Sequence, residues 1–259
     1  MWFQPFVLIS FTLWAVTVWP ATEDRYLSYT GSATARQNAK FLYSERHVLR
    51  YQQGQLAERV VLYSCEDGTP FARKTVSYAD PFAPDFLLED VSNGLRQGVR
   101  SNASGRTVFF RIAAQDSEKT ATLPPAAGLV IDAGFDEFVR ANWQRLMASQ
   151  KLPIHFLVPS RLRAMDFQVQ RLRHDTADGT PTELFRLKLA GIGGWVLPGI
   201  DVSYSADDHV LMRYLGYSDL RDASGDNFRA AITFHAKDRR PSNEELMQSA
   251  QRARLAPCR

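Results

Sequence analysis

The sequence predicts a mainly β protein of the α+β class. Its expected core is a large curved antiparallel sheet or half-barrel of about eleven strands, packed on a mid-chain helix and followed by a C-terminal helix. Apolar and polar residues alternate at every second position in many short runs, and Gly- and Asp-rich turns separate these runs. Such short connections join antiparallel neighbours, because parallel strands need long crossovers.

Residues 1–21 are expected to form a signal peptide. No charged residue, Gly or Pro occurs from Phe6 to Trp19, a run long enough for the apolar part of a secretory signal. The run is shorter than the roughly 20 residues of a membrane-spanning helix. Since no Lys or Arg precedes it, an uncleaved N-terminal anchor stays open. Residues 22–259 are then expected to form a single mostly-β domain in the periplasm or outside the cell, membrane-anchored if the leader is retained.

The charge distribution argues against nucleic-acid binding. The net charge is +3 and the pI is near 8.9, but Lys and Arg are scattered rather than clustered into the basic blocks of nucleic-acid sites. The predicted domain is long enough to bury one sizeable core.

The first half of the chain contains strand, turn and strand in "YSCEDGTPFARKTVSY" (63–78). The segment "FLYSERHVLRY" (41–51) also reads as a strand, with less clean alternation. A proline-marked stretch, residues 78–94, links two further strands, and its segment "PDFLLED" (84–90) is expected to form one helical turn.

The mid-chain helix is predicted over residues 134–150. Asp136 and Glu137 lie in its first turn, where negative charge interacts favourably with the helix dipole. Apolar residues at helical spacing form a stripe that is expected to face the sheet and to line any ligand cavity. These candidate cavity residues are Phe135, Phe138, Val139, Trp143, Leu146 and Met147.

The second half returns to strand patterning. In "TELFRLKLA" (182–190), Phe185, Leu187 and Leu189 share one face. A second clean alternation occurs in "NFRAAITFHA" (227–236). The C-terminal helix is predicted over 242–254, with Ser242 and Glu245 as a capping box.

Two cysteines occur in the whole chain, Cys65 and Cys258. Export to an oxidising compartment favours a disulfide between them, which ties the C-terminal tail to the early hairpin. Two unrelated free thiols, one of them in an intermolecular bond, are the alternative.

No catalytic or cofactor motif is present. The sequence lacks G-x-S-x-G, H-E-x-x-H, Walker A and dinucleotide-binding patterns, so neither a cofactor nor a metal is expected. The glycine-rich "GIGGWVLPG" (191–199) lacks the Lys of a phosphate-binding loop and is interpreted as a strand connection. Asn102-Ala103-Ser104 matches a glycosylation acceptor.

The overall layout resembles the lipoprotein-carrier-like half-barrels of the Gram-negative periplasm and related uncharacterised secreted domains. The similarity lies in the strands of "YQQGQLAERVVLYSCEDGTPFARKTVSY" (51–78), the mid-chain helix, and the closing strands of "LMRYLGYSDLRDASGDNFRAAITF" (211–234). This resemblance implies a curved antiparallel sheet that wraps helices and encloses an apolar cavity for acyl chains. No diagnostic motif supports it, so no site residue is carried over.

A non-enzymatic carrier for an apolar, lipid-like ligand is therefore the first hypothesis, with the ligand between the concave face of the sheet and the helix stripe. A structural or interaction protein of the cell envelope, with a filled core and a protein partner, is the second. A secreted hydrolase with an unrecognised site is the third.

Overall fold

A computed structural model describes residues 24–103, 105–191 and 199–258. The predicted signal peptide and most of the glycine-rich segment 191–199 lie outside these ranges. The described residues form one 16-stranded sheet and three α-helices. The strands are β1 (Arg25–Ala35), β2 (Phe41–Gln52), β3 (Gln55–Ser64), β4 (Pro70–Ser77), β5 (Asp85–Asp90), β6 (Arg96–Asn102), β7 (Gly105–Arg111), β8 (Lys119–Leu123), β9 (Leu129–Val130), β10 (Leu152–Val158), β11 (Arg163–Ala177), β12 (Thr180–Leu189), β13 (Ile200–Ser205), β14 (Leu211–Arg221), β15 (Asn227–Phe234) and β16 (Arg240–Ser242). The helices are α1 (Gly134–Ala141), α2 (Trp143–Met147) and α3 (Glu244–Arg252).

The sheet is a long meander with its first strand, β1, near the centre. From the centre, β1 to β8 follow one another to one edge, and β15 back to β9 follow one another to the other edge. Neighbouring strands are antiparallel except β9 and β10, which are parallel. The 159–161 turn contacts β6 and β7, and β8 approaches β11, so the two halves curl towards each other around the concave face. The predicted mainly β fold class is confirmed.

The strand count exceeds the predicted one of about eleven for a physical reason. β9 has two residues, β16 has three, and β8 is mostly exposed, so none of them carries a clear alternation of apolar and polar residues.

The predicted helical turn in residues 84–90 is wrong. These residues contribute β5, in which Phe86, Leu88 and Asp90 are buried alternately. The turn lies just before, where the Asp80 side chain accepts hydrogen bonds from the backbone of Phe82 and Ala83.

The mid-chain helix is interrupted. The predicted 134–150 helix consists of α1 and α2, separated at Asn142, whose side-chain amide donates to the Phe138 carbonyl at 2.9 Å. Gly134 starts α1 where a Cβ atom would lie 2.1 Å from the Phe82 carbonyl oxygen. Only glycine permits this approach between α1 and the preceding turn.

The C-terminal helix α3 covers the outer, convex face of β2 and β3. Met247 and Ala250 pack there against Val48, Val60 and Leu62. The helix begins one residue later than expected for the predicted capping box. Asn243 is the N-cap, its side chain accepts from the Leu246 backbone at 3.0 Å, and the Ser242–Glu245 assignment is therefore wrong.

A disulfide joins Cys65 to Cys258, with the two Cα atoms 5.7 Å apart, as predicted. The tail is also held by a backbone hydrogen bond from Ala256 to Pro70 and by one from the Arg73 side chain to the Ala253 carbonyl. Together these contacts fix the C-terminal segment to the β3–β4 hairpin.

Within the described ranges, no helix combines the length and apolar character needed to cross a membrane.

Candidate ligand cavity

A cavity of about 210 Å³ lies on the concave face of the sheet, and is called the inner cavity here. Its walls come from β2, β3 and β4 on one side, from β13, β14 and β15 on the other, and from the start of α1. Much of the wall is apolar: Val61, Phe135, Val202, Leu211, Ile232 and Phe234. Four tyrosines, Tyr43, Tyr63, Tyr214 and Tyr217, also line it.

A second space of about 350 Å³, the outer cavity, adjoins the first. It lies beside the 159–161 turn and is walled by apolar side chains that include Leu157, Met165, Phe167 and Leu189. The two cavities share Phe156, Leu187, Ile200, Tyr217, Ser218 and Asp219 in their walls. The shared wall places the two cavities next to each other.

The inner cavity is also charged, which is unusual for the interior of a β protein. The charged and titratable residues of its wall, apart from tyrosine, are Glu45, His47, Arg59, Lys74, Asp132, Asp136 and Asp219. Alternation along the strands brings them together: Glu45 and His47 face the same way on β2, while Arg59 on β3 and Lys74 on β4 point to the same concave side.

Lys74 bridges two carboxylates. Its ammonium group lies 2.5 Å from Asp132 and 2.5 Å from Asp219. Lys74 and Asp132 are almost fully buried, whereas the Asp219 side chain is 44 % exposed, which makes it the most accessible member of the group. The second oxygen of Asp132, Oδ2, has no hydrogen-bond partner among the described residues.

The two carboxyls differ in acidity. Burial raises the pKa of Asp132 and the charge of Asp219 adds to the rise, against the opposing effect of Lys74. For Asp219 burial acts in the same direction, but the charge and hydrogen bond of Lys74 outweigh it and lower its pKa. Asp132 is thus the carboxyl that takes up a proton first when the pH falls.

A second buried group joins α1 to the sheet. Asp136 accepts two hydrogen bonds from the Arg59 guanidinium, at 3.1 and 3.2 Å, and one from the Tyr204 hydroxyl at 2.8 Å. Burial raises the pKa of Asp136, but the positive charges of Arg59 and Arg140 more than compensate and lower it. This carboxylate therefore stays ionised and fixes the first turn of α1 over β3 and β13.

The third group is the pair of Glu45 and His47, whose side chains are 3.0 Å apart. The His47 ring stacks on Tyr29 with the ring centroids 4.5 Å apart and meets the Phe234 ring edge-on. Burial lowers the pKa of His47, although its hydrogen bond with Glu45 opposes this. A neutral imidazole cannot balance the charge of Glu45 at neutral pH.

The predicted helix stripe is divided by the structure. Phe135 lines the inner cavity. Phe138, Val139, Trp143 and Leu146 are buried in a cluster with β10 to β13, and Met147 packs against that cluster. Trp143 contacts Phe185 edge-on and stacks on His209 with the ring centroids 3.8 Å apart.

Sequence reasoning missed the charged wall. The signal was present in residues 41–51, where period-2 alternation places Glu45 and His47 on the same face as Tyr43 and Leu49. The arrangement offers a shielded space with fixed charges and hydrogen-bonding groups. No set of three or more His, Cys, Asp or Glu side chains in the described part of the chain is placed to hold a metal ion.

Comparison with known proteins gives likeness in chain layout alone. No protein-family model matches the chain, and no curated protein matches it. Among solved structures, a beta-barrel-like protein of the domain of unknown function DUF1849 from Brucella abortus has 9 % identity and a TM-score of 0.47, covering 85 % of this chain and 98 % of that one. A domain assigned to outer membrane lipoprotein sorting from Vibrio parahaemolyticus has 6 % identity and a TM-score of 0.31, covering 87 % and 88 %.

MucB is a further similar structure, with 10 % identity and a TM-score of 0.28. The match covers 86 % of this chain and 57 % of MucB. A lipoprotein-sorting domain is thus among the similar structures, and lipoprotein-carrier-like proteins are those that the sequence resembles in layout. At these TM-scores the likeness says nothing of ligands.

Proposed function

We propose that this protein is an exported, non-enzymatic binding or carrier protein whose lipid-like ligand occupies the inner and outer cavities. The observation that carries the proposal is the presence of two adjacent cavities with a shared, largely apolar wall. The outer cavity alone, at about 350 Å³, is within the roughly 300–1,000 Å³ of small-molecule sites.

Export is supported by the disulfide and the apolar leader. A bond between Cys65 and Cys258 persists in an oxidising compartment such as the periplasm or the extracellular space. In this proposal residues 22–259 act as one unit, released by cleavage of 1–21 or held at the membrane if the leader stays.

Within the proposal the helix stripe has two parts. Phe135 contacts the ligand, since it stands in the wall of the inner cavity. The other stripe residues, Phe138, Val139, Trp143, Leu146 and Met147, hold α1 and α2 against β10 to β13 and keep that wall in place.

The test is binding of a neutral apolar dye, N-phenyl-1-naphthylamine, whose fluorescence rises in apolar surroundings. The unmutated protein should bind it in a saturable way, and native mass spectrometry should detect lipid that copurifies. Ile200 lies in the wall shared by both cavities, so Ile200→Trp should occupy cavity space and weaken dye binding by about tenfold.

The matched control is Ile112→Trp. Ile112 is 38 % exposed and lies outside both cavities, so this variant should bind the dye like the unmutated protein. Circular dichroism should show the same strand content for both variants. If the unmutated protein binds no dye and carries no lipid, the carrier function is refuted, and a structural or interaction role in the envelope takes its place.

A further inference from the structure

The inner cavity has more negative charge than its own cations balance. Its wall contains four carboxylates, Glu45, Asp132, Asp136 and Asp219, and two residues that are always cationic at neutral pH, Arg59 and Lys74. Each cation is already engaged: Arg59 donates twice to Asp136, and Lys74 lies between Asp132 and Asp219.

Glu45 is the carboxylate left over. Its partner is His47, at 3.0 Å, and burial keeps the pKa of that imidazole low. Among the lining residues that the structure describes, no Lys or Arg remains for Glu45. A buried charge without a countercharge is costly, so a positive group that enters the cavity would be stabilised beside Glu45.

Aromatic rings surround the same place. Tyr43 and Tyr63 meet edge-on with ring centroids 5.7 Å apart, and both line the inner cavity together with Tyr214. Tyr43 and Glu45 lie two positions apart on β2 and both line the inner cavity; burial raises the pKa of Tyr43, and the negative charge of Glu45 adds to that rise. Ring faces together with carboxylates are the chemistry that recognises organic ammonium groups.

The outer cavity has the opposite charge balance. Arg161, Lys188 and Arg221 line it, with Asp219 as the one carboxylate in its wall. A cationic group is therefore disfavoured at this end, whereas an apolar chain would lie against Phe167 and Leu189, which are paired neighbours on β11 and β12. The charges of the two ends set one orientation for an amphiphile: its cation in the inner cavity and its chain in the outer one.

We infer that the ligand is an amphiphile with a cationic, amine or ammonium head group, held in the inner cavity by Glu45 and Asp219 and by the rings of Tyr43, Tyr63 and Tyr214. This inference rests on the proposed function and names the ligand class for the same site. A fatty acid bound in the same orientation would place its carboxylate beside Glu45, where it would add to the negative charge.

The experiment compares two probes with similar hydrocarbon chains, dodecyltrimethylammonium and laurate, each below its micelle concentration and at the same ionic strength. Both displace N-phenyl-1-naphthylamine from the unmutated protein at neutral pH. Dodecyltrimethylammonium should displace the dye at a concentration about tenfold lower than laurate. Glu45→Gln and Asp219→Asn should each reduce this preference several-fold, which corresponds to about 1 kcal/mol.

The control is Asp166→Asn, which removes a carboxylate that is likewise paired with a histidine, His155, but whose side chain is 75 % exposed. This variant should keep the preference of the unmutated protein. If laurate displaces the dye as well as or better than dodecyltrimethylammonium, the cationic head group is wrong while the carrier function stands. If the preference exists but neither Glu45→Gln nor Asp219→Asn reduces it, the assignment to the inner cavity is wrong. Failure of the unmutated protein to bind the dye refutes the carrier function itself.

Discussion

Removal of Asp136 should destabilise the protein strongly, because it leaves a buried guanidinium without its countercharge. The side chains of Arg59 and Asp136 are only 6 % and 11 % exposed, and Asp136 accepts three hydrogen bonds, two from Arg59 and one from Tyr204. Breaking a buried pair of this kind costs about 3–5 kcal/mol. The free energy of unfolding of Asp136→Ala, measured in urea at neutral pH with the disulfide intact, should fall by that amount.

Asp201→Ala is the matched control. Asp201 also accepts two hydrogen bonds from one arginine, Arg186, but the Arg186 side chain is 41 % exposed. Its loss should cost about 0–1 kcal/mol, since solvent replaces the carboxylate. Equal losses for Asp136→Ala and Asp201→Ala would refute the reasoning from burial.

The same prediction has a pH dependence. Burial raises the pKa of Asp136, but Arg59 and Arg140 lower it further than burial raises it. A carboxyl whose pKa is lowered in the folded state stabilises the protein above its unfolded-state pKa and loses this contribution as the pH falls through the folded-state value. The destabilisation by Asp136→Ala should therefore shrink in acid.

Three further outcomes are expected. Cys258→Ser removes the link to Cys65, which spans 193 residues. On the chain-entropy model its loss should lower the free energy of unfolding, measured in urea, by about 5 kcal/mol. An unchanged urea midpoint would contradict this prediction. Trp143→Ala should cost about 3–5 kcal/mol through lost burial against Phe185, also measured in urea, and a loss below about 1 kcal/mol would show that α2 is loosely packed. Burial raises the pKa of Asp132, so ionisation of this carboxyl should reduce the stability of the unmutated protein as the pH rises through that raised value. Asp132→Asn should lack this decline, and parallel stability profiles against pH would contradict the assignment.

The sequence was informative where one local pattern decides the structure. In residues 182–190 the alternation predicts a strand with Phe185 and Leu187 on one face, and both are buried there. The disulfide followed from two cysteines and an expected oxidising compartment. The chain between 134 and 150 has a helical stripe, but the break at Asn142 depends on packing that periodicity does not describe.

The sequence was less informative where tertiary contacts cover both faces of a strand. In β2, Leu49 belongs to the concave-side cluster and Val48 to the cluster under α3. Apolar residues therefore occur on both faces, and the alternation of 41–51 is blurred. In residues 84–90 the alternation is hidden for another reason: the buried face carries Asp90 as well as Phe86 and Leu88, and the opposite face carries Leu87.

The charged inner cavity could not be deduced from the sequence, because its partners are distant along the chain. Lys74 meets Asp219 across 145 positions and Arg59 meets Asp136 across 77, and only the register of the whole sheet brings these pairs together. The buried ionic groups are of two kinds, which differ in whether their own charges balance. The group of Arg59, Asp136 and Tyr204 satisfies itself and has a structural explanation, namely the attachment of α1. Glu45 is paired instead with a histidine whose pKa burial lowers, and the proposed cationic head group would supply the countercharge that this pair lacks.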